Sequence, residues 1–489
     1  MSQHFKPTLT AIAAAATLLV AGCHRQEASL DATARSLGAA ELHSIEFSGT
    51  GRWYQFGQAP NPHSAWPAFE LSRYVATIDY DQPAARVQQT RKQIVEPGRE
   101  RPQPVEQKPD QYLSGETAWN LAPPQGAAPG AEPVAQAQPA AVEERRTEIW
   151  ETPQGFVKAA LANHAEIRQV DGGSEVSFSI GPNHYVGFID AGRQLTRVRS
   201  WIDNPVLGDT LVETTFSDYR DFSGLSFPAH IARSQGGYPV LDLDISTVTA
   251  NAPLALDIPA GLDNAPPQVT SETLAPGVFY LRGGTHHSVA IEEADHVVVV
   301  EAPLNEARSE AVIAKVHELI PDKPIRYLVN THAHFDHAGG LRTYVAEDAT
   351  IVTHADNEAY YREAWSARRT LQPDRLSQTP KAPHFETFRD KKVLGDEKRP
   401  IEIYPIAGSG HNDAFALVYL PAEKILIEAD AYTPLTAGAP PPASVNPYAA
   451  NLYDNIDRLK LDVQRIAALH GPGVATLADL KAYITPAKS

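Results

Sequence analysis

At 489 residues the chain exceeds what one ordinary hydrophobic core serves and points to two domains. Its hydrophobic content of 43% excludes wholesale disorder and a multi-span membrane protein. A formal net charge of -17 argues against nucleic acid as a partner, because phosphate recognition needs a basic face; the excess of acid serves solubility.

Met1 to Lys6 form a short polar start, and an apolar run follows from Leu9 to Ala21. That run is too short to span a bilayer and suits the apolar region of a signal peptide. It ends in Val20-Ala21-Gly22-Cys23, which resembles the lipobox of bacterial lipoproteins. The resemblance implies removal of residues 1–22, lipidation of Cys23, and a protein anchored by lipid in the bacterial envelope, facing the periplasm. His24 follows the lipidated position in place of Asp, which by the family's sorting rule points to the outer membrane. Cys23 is the only cysteine, so the mature domains form no intrachain disulfide and offer no thiolate to a metal.

Residues 23–42 read as a tether, and residues 43–256 as a mainly antiparallel β domain. Strands are expected over Phe69–Tyr80, Gln111–Leu121, Glu175–Ile180, Tyr185–Asp190, Leu195–Asp203, Thr210–Tyr219, Phe227–Ser234 and Val240–Thr249. One helix is expected over Pro153–Asn163, with Pro153 in its first turn. The Pro- and charge-rich stretch 97–110 and the Ala/Pro/Gln/Gly-rich stretch 123–142 read as loops or disordered excursions. Repeated strands with one helix imply a large sheet curled over an apolar face. The run Phe216-Ser217-Asp218-Tyr219-Arg220, with Gly224 and Phe227-Pro228, resembles segments of the half-barrel domains of outer-membrane lipoprotein carriers. No catalytic constellation shows in this domain; His43, His63, His164, His184 and His230 are scattered and read as structural or surface residues.

Residues 257–268 hold Pro259, Pro266 and Pro267 and read as the linker to a domain over 269–489. There the texture alternates between β and α. Short strands are expected at Val278–Arg282 and Ser288–Glu292, and the four valines within His296–Glu301 form a strand buried on both faces. A helix over Ala307–Ile320 puts Val312, Val316, Leu319 and Ile320 on one face and stops before Pro321. The next buried strand, Ile325–Val329, delivers the chain to Asn330-Thr331-His332-Ala333-His334-Phe335-Asp336-His337-Ala338-Gly339-Gly340.

This segment contains HxHxDH. Residues two apart on extended chain point the same way, so His332 and His334 can grip one cation. A turn into helix then projects Asp336 and His337 toward a neighbouring position, with Gly339 and Gly340 permitting close packing. The pattern resembles the metallo-β-lactamase superfamily, which includes glyoxalases, lactonases and phosphodiesterases, over roughly Thr270–Ile484. The resemblance implies an α/β fold, an αββα sandwich, with two divalent metal ions. It places His332, His334 and His411 on the first and Asp336, His337 and His470 on the second, with Asp430 bridging. His411 stands in Gly408-Ser409-Gly410-His411, Asp430 follows a hairpin of Ala416–Leu420 and Ile425–Glu428, and His470 follows Arg465–Leu469. The ligand set suits Zn(II), with Fe or Mn compatible.

Three departures narrow the family. No Cys stands near Asp430, unlike the best-known zinc β-lactamases. His334 occupies the place of the Glu usual in flavo-diiron oxidoreductases, and alkylsulfatase-like members carry Glu near His411 and Asp430. The implied chemistry is hydrolysis of a small-molecule ester, lactone, thioester, β-lactam amide or phosphodiester by hydroxide held between the metals. Asp336 is the candidate catalytic residue, orienting the nucleophile and shuttling a proton. Two other readings are a non-catalytic envelope lipoprotein with structural metals, binding a lipid or protein, and metal-dependent redox chemistry. Thr285, His286 and His287 read as a plain loop, and His354 as a cap or outer-sphere residue. The aromatic helix Asn357–Arg369 reads as core or lid, and the Pro-rich stretch Thr433–Pro447 as a solvated rim.

Overall fold

A computed structural model describes residues 30–123, 131–262, 266–439, 442 and 444–485; the signal-peptide segment and Cys23 lie outside them. Among the described residues no helix is long and apolar enough to cross a membrane.

The N-terminal domain is built on a 13-stranded antiparallel sheet, as the repeated strands imply. Its first six strands step outward from Ser44–Tyr54, and the last seven return from Glu166–Val170 to Tyr238–Ala250, which pairs with Ser44–Tyr54 and joins the two halves. Alternation drives the burial. In Gly208–Phe222 the inward series Thr210, Val212, Thr214 and Phe216 is buried while the residues between them are more exposed. Two helices, Val142–Trp150 and Pro153–Ala162, supply Ile149, Trp150, Phe156, Val157 and Ala160 to the same core. The second starts as expected, with Pro153 in the first turn and the Thr152 side chain accepting from Gly155 N.

Several expectations for this half are corrected. The segment read as a tether is, from Leu30 on, part of the folded domain. Residues 30–36 are helical, and Leu30, Thr33, Ala34 and Leu37 recur at i, i+3, i+4 and i+7 to make one buried face. Gln154 Nε2 donates to Leu37 O (3.0 Å) and Lys158 Nζ to Leu42 O (2.6 Å), which fixes the segment on the second helix. Gln111–Leu121 is a hairpin of Asp110–Ser114 and Thr117–Ala122 turning at Gly115. The Ala/Pro-rich stretch ends in a fifth antiparallel pairing, where Val134–Ala137 adds to Thr117–Ala122, and a 3-10 turn over Pro139–Ala141 leads into the helix Val142–Trp150.

The C-terminal domain is a sandwich of a 7-stranded and a 6-stranded mixed sheet with helices outside both. Val297–Val300 shows why. Val298 and Val300 pack between the sheets while Val297 and Val299 pack under the helices, so one run of four valines serves two cores. Leu328 and Val329, then Ile351 and Val352, repeat that division. The helix Glu306–Leu319 is capped by Asn305, which accepts from Arg308 N (3.0 Å), and buries Val312, Ile313 and Val316. The aromatic helix is shorter than expected, Ala355–Ala364, and His354 caps it by accepting from Asp356 N (3.4 Å). Tyr361 is fully buried and stacks on Trp365 and Phe385, so these aromatics are core.

The chain just beyond this helix joins the domains. Arg369 donates to Asn204 O (3.2 Å) and Val206 O (2.8 Å), while Asp209 accepts from Thr370 N (2.9 Å) and Leu371 N (3.1 Å).

Leu37→Ala is expected to destabilise the N-terminal domain by about 2–5 kcal/mol, seen as a lower urea midpoint with unchanged slope. A free tether would give no change.

Candidate metal centre

One edge of the sandwich gathers the candidate residues. The parallel strands Val297–Val300 and Ile325–Val329 end there, as do Ile425–Glu428 and Arg465–Ala468, and the last three each hand the chain to a segment carrying one or more of them. His332 and His334 sit in the loop after Ile325–Val329; Asp336 and His337 lie on the short helix Phe335–Ala338. The turn is tight. A Cβ on Gly339 would lie 1.9 Å from Leu304 O, and one on Gly340 would lie 1.9 Å from Ser309 Oγ. His411 is aimed by its loop, where Ser409 Oγ accepts from the backbone N of His411 (3.2 Å) and of Asn412 (3.3 Å). Asp430 follows Glu428, whose buried carboxylate accepts from Ala431 N (3.1 Å) and Tyr432 N (3.0 Å) and so turns the chain.

The seven residues converge in two groups. His332, His334, His411 and Asp430 bring their ligand-type atoms within 4.8 Å of one another; Asp336, His337 and His470 do the same together with His286. Asp430 reaches both groups. Its Oδ2 lies 3.1 Å from His332 Nε2, 3.3 Å from His411 Nε2 and 2.8 Å from His337 Nε2, and its Oδ1 lies 3.0 Å from His470 Nε2.

The donor set fits a pair of divalent cations, because four of the five rings are held by their far side. The His334 Nε2–H donates to Ala59 O (3.0 Å), which leaves Nδ1 buried and without a partner. The His470 Nδ1–H donates to Thr285 O (3.2 Å), turning Nε2 inward. The His337 Nδ1–H donates to Glu301 Oε2 (2.9 Å). The Thr331 hydroxyl donates to Glu301 Oε2 (2.5 Å), so it accepts from His332 Nδ1–H (3.0 Å). Hydrogen bonding therefore directs the inner nitrogens of four imidazoles at one another and at Asp430, as outer partners of metal-bound histidines do.

Electrostatics agree. Burial, reinforced by neighbouring His337, lowers the His332 pKa to about 4, so its ring is neutral and able to ligate. Burial opposes charge on His337, yet Asp430, Asp336 and Glu301 push its pKa well above the usual imidazole value. Burial also opposes charge on Asp430, yet His337, His470 and His411 hold its carboxyl well below the usual range. The cluster is one that positive charge stabilises.

Three residues of this centre were not anticipated. His286 was expected in a plain loop; it opens the strand His286–Glu292, and its Nε2 lies 3.2 Å from Asp336 Oδ2. Glu301 follows the four valines, where a lone carboxylate after a buried strand was the available signal. Gln58 comes from the N-terminal domain, where no functional constellation was expected, and its Nε2 donates to Asp336 Oδ1 (2.6 Å). The stretch 97–110 also reaches this edge, with Arg99 paired to Asp413 (3.1 Å). Residues 434–439 line a groove of about 460 Å³ beside Pro472 and Gly473, and none of the clustered His or Asp residues lines it.

Glu301→Gln replaces the acceptor of two imidazole chains by an amide and is expected to weaken metal affinity by about 10–100-fold in competition with a chelator. Unchanged affinity would show that Glu301 does not orient the rings.

The solved structures that the chain resembles include three metallo-beta-lactamases. They are a metallo-beta-lactamase from Pontibacter korlensis (16% identity, 45% of this chain and 98% of that one, TM-score 0.33), the metallo-beta-lactamase FIM-1 from Pseudomonas aeruginosa in its mono-zinc form (19%, 44% and 93%, 0.32) and a metallo beta lactamase from Hirschia baltica (22%, 45% and 100%, 0.33). No curated protein matches the chain. Residues 281–463 match the family model described as the Metallo-beta-lactamase superfamily, and the C-terminal half of this chain is a domain of that fold.

Proposed function

We propose that the chain is a metal-dependent hydrolase acting on a small molecule at the edge of its C-terminal sandwich. The carrying observation is the meeting of two four-residue groups at the single carboxylate of Asp430. In this reading His332, His334 and His411 hold one divalent cation, Asp336, His337 and His470 hold the other with His286 beside them, and Asp430 reaches both. Such a pair supplies Lewis acidity toward a substrate oxygen and acidifies water toward neutral pH. Zn(II) suits the mixed imidazole and carboxylate donors, and Fe or Mn is compatible with them.

The chain's own residues complete the chemistry. Asp336 is the most open of the seven, with 32% of its side chain exposed against 0% for His332 and His337. Its Oδ1 keeps a lone pair beside the Gln58 amide and there accepts a proton from the attacking water, later returning it to the leaving group. The bond cleaved belongs to an ester, lactone, thioester, β-lactam or phosphodiester. The buried rings of His332 and His337 keep bulk water from competing with substrate on the inner side.

We also propose, from the Val20-Ala21-Gly22-Cys23 motif, that Cys23 is lipidated and holds the protein at the envelope, facing the periplasm.

His334→Ala is expected to cut turnover by more than about 100-fold while the far-ultraviolet dichroism stays unchanged, measured on chromogenic esters, lactones, cephalosporins and bis-(nitrophenyl) phosphate. Full activity in metal-loaded mutant protein would refute the assignment. Two bound metals with no hydrolysis of any class would favour a non-catalytic binding protein. Cys23→Ala is expected to move the protein from the membrane to the soluble fraction and to abolish fatty-acid labelling.

A further inference from the structure

The loop after Ser44–Tyr54 belongs to the N-terminal domain but lies on the metal-site helix Phe335–Ala338. Five consecutive residues of it make contact. Gly57 O accepts from Phe335 N (3.1 Å), Gln58 Nε2 donates to Asp336 Oδ1 (2.6 Å), and Ala59 O accepts from His334 Nε2 (3.0 Å). Pro60 O accepts from Asp413 N (2.8 Å), and Asn61 Nδ2 donates to Asp413 Oδ2 (2.7 Å). The approach requires glycine at 57: its φ is +75°, and a Cβ there would lie 2.5 Å from Phe335 Cγ. Phe335 in turn packs edge-on against Phe56 at 5.3 Å between ring centroids.

The consequence reaches both groups of the centre. With Nε2 of His334 held by Ala59 O, its unpartnered Nδ1 is the atom presented inward. With Oδ1 of Asp336 held by the Gln58 amide, Oδ2 is the oxygen presented to His286 Nε2 (3.2 Å) and His337 Nε2 (3.6 Å). We propose that Gln58 is a positioning residue for Asp336, and that the N-terminal domain is thereby a working part of the metal centre. This rests on the dinuclear reading above. Gln58 acts on the Asp336 group alone, so its loss weakens one cation and spares the other; a residue that merely supported the fold would weaken both.

The test is a Co(II) titration of the full chain, followed by visible absorption and by chelator competition, on wild type, Gln58→Leu and Gln58→Ala. Wild type is expected to take two Co(II) ions. Each variant is expected to keep one affinity unchanged and lose about 10–100-fold in the other, with a changed d–d spectrum for that ion alone and an unchanged melting midpoint of the metal-free protein. Two unchanged affinities in both variants, or two affinities lowered together, would overturn the role of Gln58 while leaving the dinuclear centre standing. Fewer than two Co(II) ions in wild type would overturn the dinuclear reading and this inference with it.

Discussion

Two imidazoles of the centre take their orientation from one buried carboxylate. Glu301 accepts directly from His337 Nδ1 and, through the Thr331 hydroxyl, from His332 Nδ1. Asn330 Nδ2 adds a third donor at 3.3 Å. The carboxylate sits there at a backbone φ of +80°, a left-handed conformation that costs a residue with a side chain on the order of 1–3 kcal/mol. A buried anion satisfied by three donors offsets such strain, and the positive φ lets the chain leave Val297–Val300 with the side chain aimed across the strand ends rather than along them. The same Asn330 accepts from Tyr361 OH (2.6 Å) and Thr353 Oγ1 (3.1 Å), so the floor under the metal loop continues into the hydrophobic core.

Much of this was legible in the primary order because the relevant signals are local. A run of four valines can only be a strand buried on both faces, and a strand of that kind belongs inside a layered α/β domain. Ile325–Val329, Ala416–Leu420 and Ile425–Glu428 have the bounds expected from their apolar runs. HxHxDH was readable since its spacing alone places four ligand-type side chains at one strand end. The later residues could be sought only through resemblance, because nothing local distinguishes His411, Asp430 or His470 from a histidine or aspartate at any other strand end.

The residues with no local signal depend on contacts between distant segments. His286 stands next to His287, and only the pairing of its strand with Val278–Gly283 decides which of the two faces Asp336; His287 instead points its Nε2–H at Gly471 O (2.9 Å). Glu301 carries no motif. The helix Val142–Trp150 has a weakly patterned sequence, with Glu144, Arg145 and Glu148 turned toward the sheet, and its polar face is matched by Arg233 and Gln235 across the interior. Leu30–Leu37 is silent for a different reason: an amphipathic octet beside a lipobox has the composition of a spacer, and Gln154, whose amide holds Leu37 O, lies over a hundred residues away.

The coupling between domains is built largely from backbone groups, which explains both its strength and its silence in sequence. Gly57, Ala59 and Pro60 each present a carbonyl, and the partners are two backbone amides, an imidazole N–H and, at 3.4 Å, the Asn412 side-chain amide. Carbonyls are supplied by every residue, so no residue type advertises them; Gly57, through its positive φ, and Gln58 and Asn61, through their amides, leave a trace. A second joint at Arg369 and Asp209 holds the other flank, and its acceptors at Asn204 and Val206 are again carbonyls. Two separated joints remove the freedom that one would leave. The loop also closes over His334, whose side chain is nearly buried, while Asp336 on the adjoining helix stays open. The accessible face of the centre is therefore the one Asp336 occupies, and the N-terminal domain helps to define that face.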